Sequence, residues 1–340
     1  MLYPLTDSSS LLLVDRCHPG REILDEQGVG LARKIGNDIL CTLIHQQKVT
    51  SHWMSNTDAD VQLPTDYFAA TNVIPDNVAA VIYPFQHVFV DQTPQLPTLL
   101  YEFSLHYYVA GLSWAGSANA YHTIGSLISI NFEHYCQVRG FPKRAAAEDF
   151  YLLNKLLKTG EIRSLQRPKI DIAARESSRV PFGTGPAVIK INSLADPCAM
   201  RIYHPDSFVY LHYFLKLLVA LANNNRNTLE TSCLDLAIEP QHIVSRELLL
   251  KFTSTLQIDR AISHCYRQGD TAAKRLKHLM GWFDGFKTLK LIHFIRDNQL
   301  EMITFRQWQQ RYTIEKTRLM TDDLQVISKR IDLQLKLELP

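Results

Sequence analysis

The chain has 340 residues, of which 46% are hydrophobic and 21% are charged, and its 36 Lys and Arg nearly balance its 34 Asp and Glu for a net charge of +2. This composition is ordinary for a globular protein and leaves room for two domains. The chain has no long basic run, which argues against a general nucleic-acid-binding protein.

The cysteines and the apolar segments bear on the compartment. The N-terminus lacks a positively charged leader, so we predict no signal peptide. The longest apolar segment, 207–222, carries His212 and Lys216 and is too short to span a bilayer, which leaves a core helix or one resting on a membrane surface. We therefore expect a cytoplasmic protein, with peripheral contact at the inner face of the membrane left open. Free, mostly buried thiols are predicted because no CxxC pair or zinc spacing occurs among the cysteines, at positions 17, 41, 136, 198, 233 and 265.

Short apolar runs alternate with helical patterns over about residues 1–190, which is typical of an α/β domain. The first run, "SLLLVD", predicts a buried strand. In chain order, the predicted elements are a strand at 10–15, a helix at 28–47, strands at 49–56, 77–90 and 120–131, and a helix at 145–160.

Helical patterns dominate from about residue 200 onward, with turn signals such as "NNNRN" and "RQGD" between them. We therefore expect an α/β domain over 1–195 and an α-helical region over 196–340. The helices predicted in the second region are 206–223, 244–257, 271–296, 304–315 and 322–337.

Two aspartates, Asp58 and Asp60, follow the strand predicted at 49–56, shortly before the chain turns at Pro64. Aspartate favours turns because its side chain caps nearby backbone amides. A D-x-D match is expected about once by chance in a chain of this composition. Only the neighbouring motifs can decide between a turn and a metal site.

A second candidate is the helix start "GVGLARKIG", in which Gly28 and Gly30 precede Arg33 and Lys34. A glycine-rich helix start can present backbone amides to an anion. The two cations lie near the positive end of the helix dipole, which favours a phosphate partner, although a plain helix start explains the segment as well. The dinucleotide fingerprint is not met because Arg33 occupies its third glycine position.

Two further segments are candidates. Glu148 and Asp149 lie in the first turn of the predicted helix, where acidic residues are stabilising and where one could act as a general base that the helix dipole keeps ionised. Arg175 and Arg179 lie in the loop "RESSRVPFGTGPA", which suits a lid or a diphosphate clamp, or else a plain solvated loop.

The segments "GVGLARKIG", "DAD" followed by "PTDYF", and "RGFPKR" followed by "EDFYLLNKLLKTG" occur in this order over about 28–186. They resemble a family-2-type glycosyltransferase of the GT-A fold, in which the corresponding pieces read "G-x-x-x-A-R-N-x-G", "D-A-D" with "P-x-Y", and "G-G-F" with "E-D-x-D-L-x-x-R-L-x-x-x-G". The E-D helix with its preceding G-F-P is the most specific part of the resemblance.

The resemblance implies a GT-A-like nucleotide-sugar-binding domain with a mixed central sheet, followed by the helical region. By position, Asp58 and Asp60 would bind Mg²⁺ or Mn²⁺ against the diphosphate of a nucleotide-sugar donor. Asp149, beside Glu148, would be the general base that removes a proton from the acceptor hydroxyl for inverting attack.

The resemblance further implies that Gly30 and Arg33 lie near the donor nucleotide, and that Arg175 and Arg179 lie near the diphosphate. The family's usual opening strand, which reads like "V-x-I-P-x-Y-N-E", has no counterpart in residues 1–27. Nucleotide binding is therefore the part of the comparison that the sequence supports least.

Tyr151 stands where many relatives have Asp, and the Q-x-x-R-W signature of processive synthases is absent. We therefore predict a metal-dependent inverting enzyme that transfers a single sugar to a hydroxyl acceptor. One alternative is a catalytically degenerate, glycosyltransferase-like binding module. Another is a haloacid-dehalogenase-type phosphatase, although Val61 and Gln62 fit its D-x-D-x-T/V loop poorly.

Overall fold

The computed structural model describes residues 2–7, 9–59, 61–89, 95–174, 183–223, 229–312 and 318–337. In this part of the chain the strands are β1 Leu2–Thr6, β2 Ser9–Leu12, β3 Trp53–Asn56, β4 Val61–Gln62, β5 Val78–Ile82, β6 Phe85–Val88, β7 Ile128–Asn131, β8 Glu161–Ser164, β9 Ile170–Ala173, β10 Arg201–Ile202 and β11 Ile303–Thr304. The helices are α1 Gly28–His45, α2 Leu96–Ala115, α3 Phe132–Gln137, α4 Glu148–Leu156, α5 Thr184–Asn192, α6 Asp206–Asn223, α7 Leu229–Leu234, α8 Arg246–Thr255, α9 Ile258–Gln268, α10 Ala272–Trp282, α11 Gly285–Asn298, α12 Phe305–Arg311 and α13 Asp322–Leu337.

The protein is mixed α/β, as the sequence predicts, and it divides into two compact units. The first unit contains Met1–Gln86, Thr123–Ala173 and Ser177–Gly185, and the second contains His87–His122, Ala174–Glu176 and Pro186–Pro340. The first unit is thus discontinuous in sequence. Residues 87–122, which the sequence assigns to the first domain, lie in the second unit.

A four-stranded mixed sheet forms the centre of the first unit, in the order β3-β7-β5-β8. Strand β7 is antiparallel to both β3 and β5, whereas β5 runs parallel to β8. All five residues of β5 are buried, the pattern of a strand covered on both faces. Helix α1 contacts β3, α3 and α4 and so joins one sheet edge to the start of α4.

Four elements predicted in the first domain differ from the structure. The strand predicted at 120–131 is limited to β7 at Ile128–Asn131, because a short 3-10 turn occupies Gly125–Leu127. The prediction of a buried strand at 10–15 is wrong about burial. Strand β2 is exposed and pairs with β1 in a two-stranded hairpin. The strand predicted at 77–90 is two strands, since Pro84 interrupts it and cannot donate a backbone hydrogen bond to a ladder. Helix α4 begins at Glu148 rather than at 145 because Ala147 has a left-handed backbone conformation, with φ of 61°.

The second unit is mainly helical, and α6 lies at its centre, in contact with α2, α10 and α11. Most of α6 is buried, so the apolar segment at 207–222 is a core helix. The starts predicted for α6 and α13 are confirmed, at Asp206 and Asp322. The helix predicted at 271–296 is two helices, because Asp284 caps α11 by accepting a hydrogen bond from the Lys287 amide.

Half of the cysteines depart from the prediction of mostly buried thiols. Cys198, Cys233 and Cys265 are buried, whereas Cys17 and Cys136 are exposed and Cys41 is half-buried. Among the described residues, no helix is both long enough and apolar enough to cross a bilayer.

Candidate functional site

Arg33, in the second turn of α1, is the centre of a charged cluster in the first unit. Its Nη2 donates to Oδ1 of Asp58 at 2.6 Å, and its Nε donates to Oε1 of Glu148 at 3.0 Å. The Arg33 side chain is only 9% exposed, and that of Glu148 is 5% exposed. One guanidinium therefore joins the loop after β3 to the start of α4, and three of the residues predicted from sequence lie together.

Space for the Arg33 guanidinium comes from Gly125, which opens the short 3-10 turn that leads into β7. A Cβ atom at Gly125 would lie 2.7 Å from Nη2 of Arg33, closer than van der Waals contact permits. Sequence reasoning missed Gly125. Its signal is a lone glycine inside the strand predicted at 120–131, which often marks a close approach of another group.

A buried amide pair fixes the distance between α1 and the end of β3. Nδ2 of Asn37 donates to Oδ1 of Asn56 at 2.7 Å and to the Arg33 carbonyl at 2.8 Å, while Nδ2 of Asn56 donates to the Met54 carbonyl. Buried amides are costly unless they are hydrogen-bonded, so this arrangement resists sliding. Asp58, two residues beyond Asn56, is thereby held beside Arg33. Sequence reasoning missed both asparagines, which look like ordinary polar positions.

The two acidic residues at the start of α4 have different environments. Glu148 is buried against Arg33. Asp149 is half-buried, and its Oδ1 accepts a hydrogen bond from the Phe150 amide at 2.6 Å. The two carboxylates, adjacent in sequence, therefore have different partners.

The pKa of Asp149 is raised to about 7, first by burial and then by the neighbouring Glu148 carboxylate. The Phe150 amide, the Arg33 charge and the Gly125 amide lower the pKa of Asp149, but they do not offset the burial. The expectation that the start of the helix keeps Asp149 fully ionised is therefore wrong, because desolvation outweighs the hydrogen bond from the Phe150 amide. A carboxyl group with a pKa near neutrality can both take up and release a proton there.

Gly28 and Gly30 allow α1 to approach the segment that leads into α4. The Gly30 amide donates to the Arg144 carbonyl at 2.9 Å, and a Cβ atom at Gly30 would lie 2.4 Å from the Pro142 carbonyl oxygen. This close packing accounts for glycine at position 30 without a ligand. That Gly30 and Arg33 lie near a donor nucleotide stays a prediction.

The metal prediction rests on Asp58 and Asp60, and Asp60 lies outside the described residues, as do Arg175 and Arg179. The Asp58 side chain is 47% exposed, whereas that of Glu148 is 5% exposed. The Asp58 carboxylate is therefore the more accessible of the two to a ligand. Within the described ranges, no group of three or more His, Cys, Asp or Glu side chains is arranged to hold a metal ion. A metal at this site stays a prediction.

Comparison with known proteins identifies no relative of this chain. No family model matches the sequence, and the chain matches no curated protein and no solved structure. The functional argument therefore depends on the residues and geometry of the cluster around Arg33.

Proposed function

We propose that the chain is a metal-dependent inverting glycosyltransferase with a GT-A-like fold, moving a single sugar from a nucleotide-sugar donor to a hydroxyl acceptor. The observation that carries the proposal is that Asp58 and the Glu148–Asp149 pair, far apart in sequence, meet through Arg33. These are the segments on which the resemblance to that family depends. The mixed sheet of the first unit is compatible with such a fold.

Asp149 is the general base in this proposal. With a pKa near 7, a substantial fraction of the carboxyl is ionised at neutral pH and can accept the proton of the acceptor hydroxyl. Glu148 is unsuited to that role because it is buried and bonded to Arg33. It instead holds the guanidinium in place and raises the proton affinity of its neighbour.

Asp58 and Asp60 would hold the Mg²⁺ or Mn²⁺ ion in this proposal. The donor chemistry of Asp58 fits, since hard divalent cations prefer carboxylate oxygens and this carboxylate is half exposed. When bound, the ion supplies positive charge to the departing diphosphate. Arg33 shares Oδ1 of Asp58 and would add a fixed positive charge beside it.

Thermal unfolding with a panel of nucleotide-sugars, with and without Mn²⁺, tests the proposal. A donor present at about 100 times its dissociation constant adds about 2.7 kcal/mol of stability. We expect at least one nucleotide-sugar to raise the unfolding temperature, and to do so only when Mn²⁺ is present. With an acceptor added, the same donor should release free nucleotide. Asp58→Asn should lose the Mn²⁺ dependence, while Asp66→Asn, a control on an exposed residue downstream in the chain, should keep it. A panel without any stabilising nucleotide-sugar would contradict the proposal.

The contact between Arg33 and Asp58 favours a second candidate, a catalytically degenerate, glycosyltransferase-like binding module. In such a protein the guanidinium, already 2.6 Å from the carboxylate, replaces the metal as the fixed positive charge. Two results together would identify this module. A nucleotide-sugar would stabilise the protein equally with and without Mn²⁺, and the protein would not turn that nucleotide-sugar over.

A further inference from the structure

Three sulfur atoms from three different elements of the first unit lie together. The thiol of Cys41, on α1, donates to the thioether sulfur of Met54, on β3, at 3.6 Å. The sulfur of Cys136, on α3, lies 3.9 Å from that of Cys41. The sequence spacing of these residues gives no metal-site signature, and only the fold brings them together.

The sulfur cluster has an open side and a closed side. Cys136 is exposed and Cys41 is half-buried, whereas Met54 is fully buried beneath them. An ion can therefore enter from solvent at Cys136, and the thioether closes the inner side. The main-chain segments that carry the sulfurs are regular elements, so their positions are well defined.

The two sulfur–sulfur distances at Cys41 suit a small soft cation bound by sulfur ligands. Bonds of about 2.3 Å from metal to thiolate sulfur place the three corners of a trigonal plane about 4 Å apart. The two sulfur–sulfur distances at Cys41, 3.6 and 3.9 Å, are close to that value. Two thiolates and a thioether are the ligands that select Cu(I) over hard cations.

Disulfide formation is the competing chemistry for two neighbouring thiols. A disulfide requires a sulfur–sulfur distance near 2.05 Å, so at least one of the two side chains would have to move from the observed 3.9 Å. A disulfide, finally, gives no role to the sulfur of Met54.

We propose that Cys41, Cys136 and Met54 form a binding site for one Cu(I) ion. On binding, the two thiols release their protons to solvent, and both thiolates and the thioether donate electron pairs to the ion. The oxidation states of copper and sulfur do not change, so the step needs no oxidant or reductant.

The test is an anaerobic titration of the reduced 340-residue chain with Cu(I) buffered by the chromogenic chelator bicinchoninate. We expect the wild type to take one Cu(I) per chain from the chelator. Cys136→Ser should lose this stoichiometric binding, since it removes one thiolate at an exposed position. Cys17→Ser, the matched control, removes another exposed thiol of the same unit and should bind as the wild type does.

Met54→Leu tests the third ligand, because it preserves the volume of a buried side chain and removes only the sulfur. We expect weaker Cu(I) binding with an unchanged thermal midpoint in the metal-free protein. Equal Cu(I) affinity in Cys136→Ser and the wild type would overturn the site. A wild type that binds Zn²⁺ but no Cu(I), or that only forms a disulfide under mild oxidation, would overturn it as well.

Discussion

Among single residues, Arg33 and Glu148 form a buried ion pair that should be costly to break. Removing one partner leaves the other charge buried without compensation, typically at about 3–5 kcal/mol. We therefore expect Arg33→Gln to lower the free energy of unfolding by about that amount. Urea unfolding monitored by circular dichroism measures the change.

Lys34→Gln is the matched control for Arg33→Gln. Lys34 is the adjacent cation, and its partner Asp38, one turn away, is half exposed. Exposed pairs of this spacing contribute only about 0.3–0.5 kcal/mol. Similar losses in the two variants would show that the Arg33 pair is no stronger than a surface contact.

The role of Asp149 as base makes a prediction about activity. Asp149→Asn keeps the side-chain volume and should leave donor binding nearly unchanged, while transfer falls by a factor of about 10² to 10⁴, the usual contribution of a positioned base. Sugar transfer at saturating donor measures this, with Glu148→Gln assayed beside it. If Glu148→Gln is the inactive variant, the assignment of the base is wrong.

The same residue makes a prediction about stability and pH. The pKa of Asp149 is about 7 in the folded protein and 3.8 in its unperturbed form. Between these values the folded state binds more protons than the unfolded state, so this group lowers the free energy of unfolding as pH rises from about 4 to about 7. Asp149→Asn removes that loss. Urea midpoints should therefore favour the variant more at about pH 8 than at about pH 4, and a constant difference between the two would contradict the raised pKa.

At the scale of elements, two of the three glycines in α1 have opposite surroundings. A Cβ atom at Gly30 would collide with the Pro142 and Arg144 carbonyl oxygens, whereas one at Gly36 would meet no atom within 4 Å. We expect Gly30→Ala to destabilise the protein by about 1–3 kcal/mol through overpacking. Gly36→Ala should stabilise it by about 1 kcal/mol, because alanine is the better helix former. Chemical unfolding of the two variants tests the packing of α1 against the α4 entrance, and equal effects would refute it.

Elements with a strong local signal are the ones the sequence predicts well. The starts of α6 and α13 follow from helical periodicity. No such signal exists for α2, which is buried on most of its faces and therefore lacks a polar stripe. The break between α10 and α11 depends on a cap at Asp284, which the apolar pattern conceals.

For the candidate site, the sequence identifies the acidic residues but not their environment. Asp58, Glu148 and Arg33 come from recognisable motifs. The raised pKa of Asp149 depends on desolvation, which only tertiary packing creates. Gly125 likewise makes room for the guanidinium of Arg33, which is distant in sequence and is brought beside it only by the fold.

On the scale of the whole molecule, the hairpin of β1 and β2 exposes several large apolar side chains, among them Leu5 and Leu11. An isolated two-stranded hairpin is marginally stable, and a contiguous apolar surface favours association. We expect the double variant Leu5→Gln/Leu11→Gln to reduce self-association measured by light scattering at rising concentration. Val73→Gln changes an exposed apolar residue outside the hairpin and should have no effect, so equal improvement in both variants would exclude the hairpin as the cause.

The interruption of the first unit by residues 87–122 matters for a chain that is being synthesised. Strand β5 leaves the ribosome before both of its neighbours in the sheet, β7 and β8. At about 5–20 residues per second, β8 is completed on the order of ten seconds after the five apolar residues of β5. Until β7 has been synthesised, the nascent chain carries β5 as an unpaired, fully apolar strand. Such a segment is the kind that chaperones shield and that aggregates when they are absent.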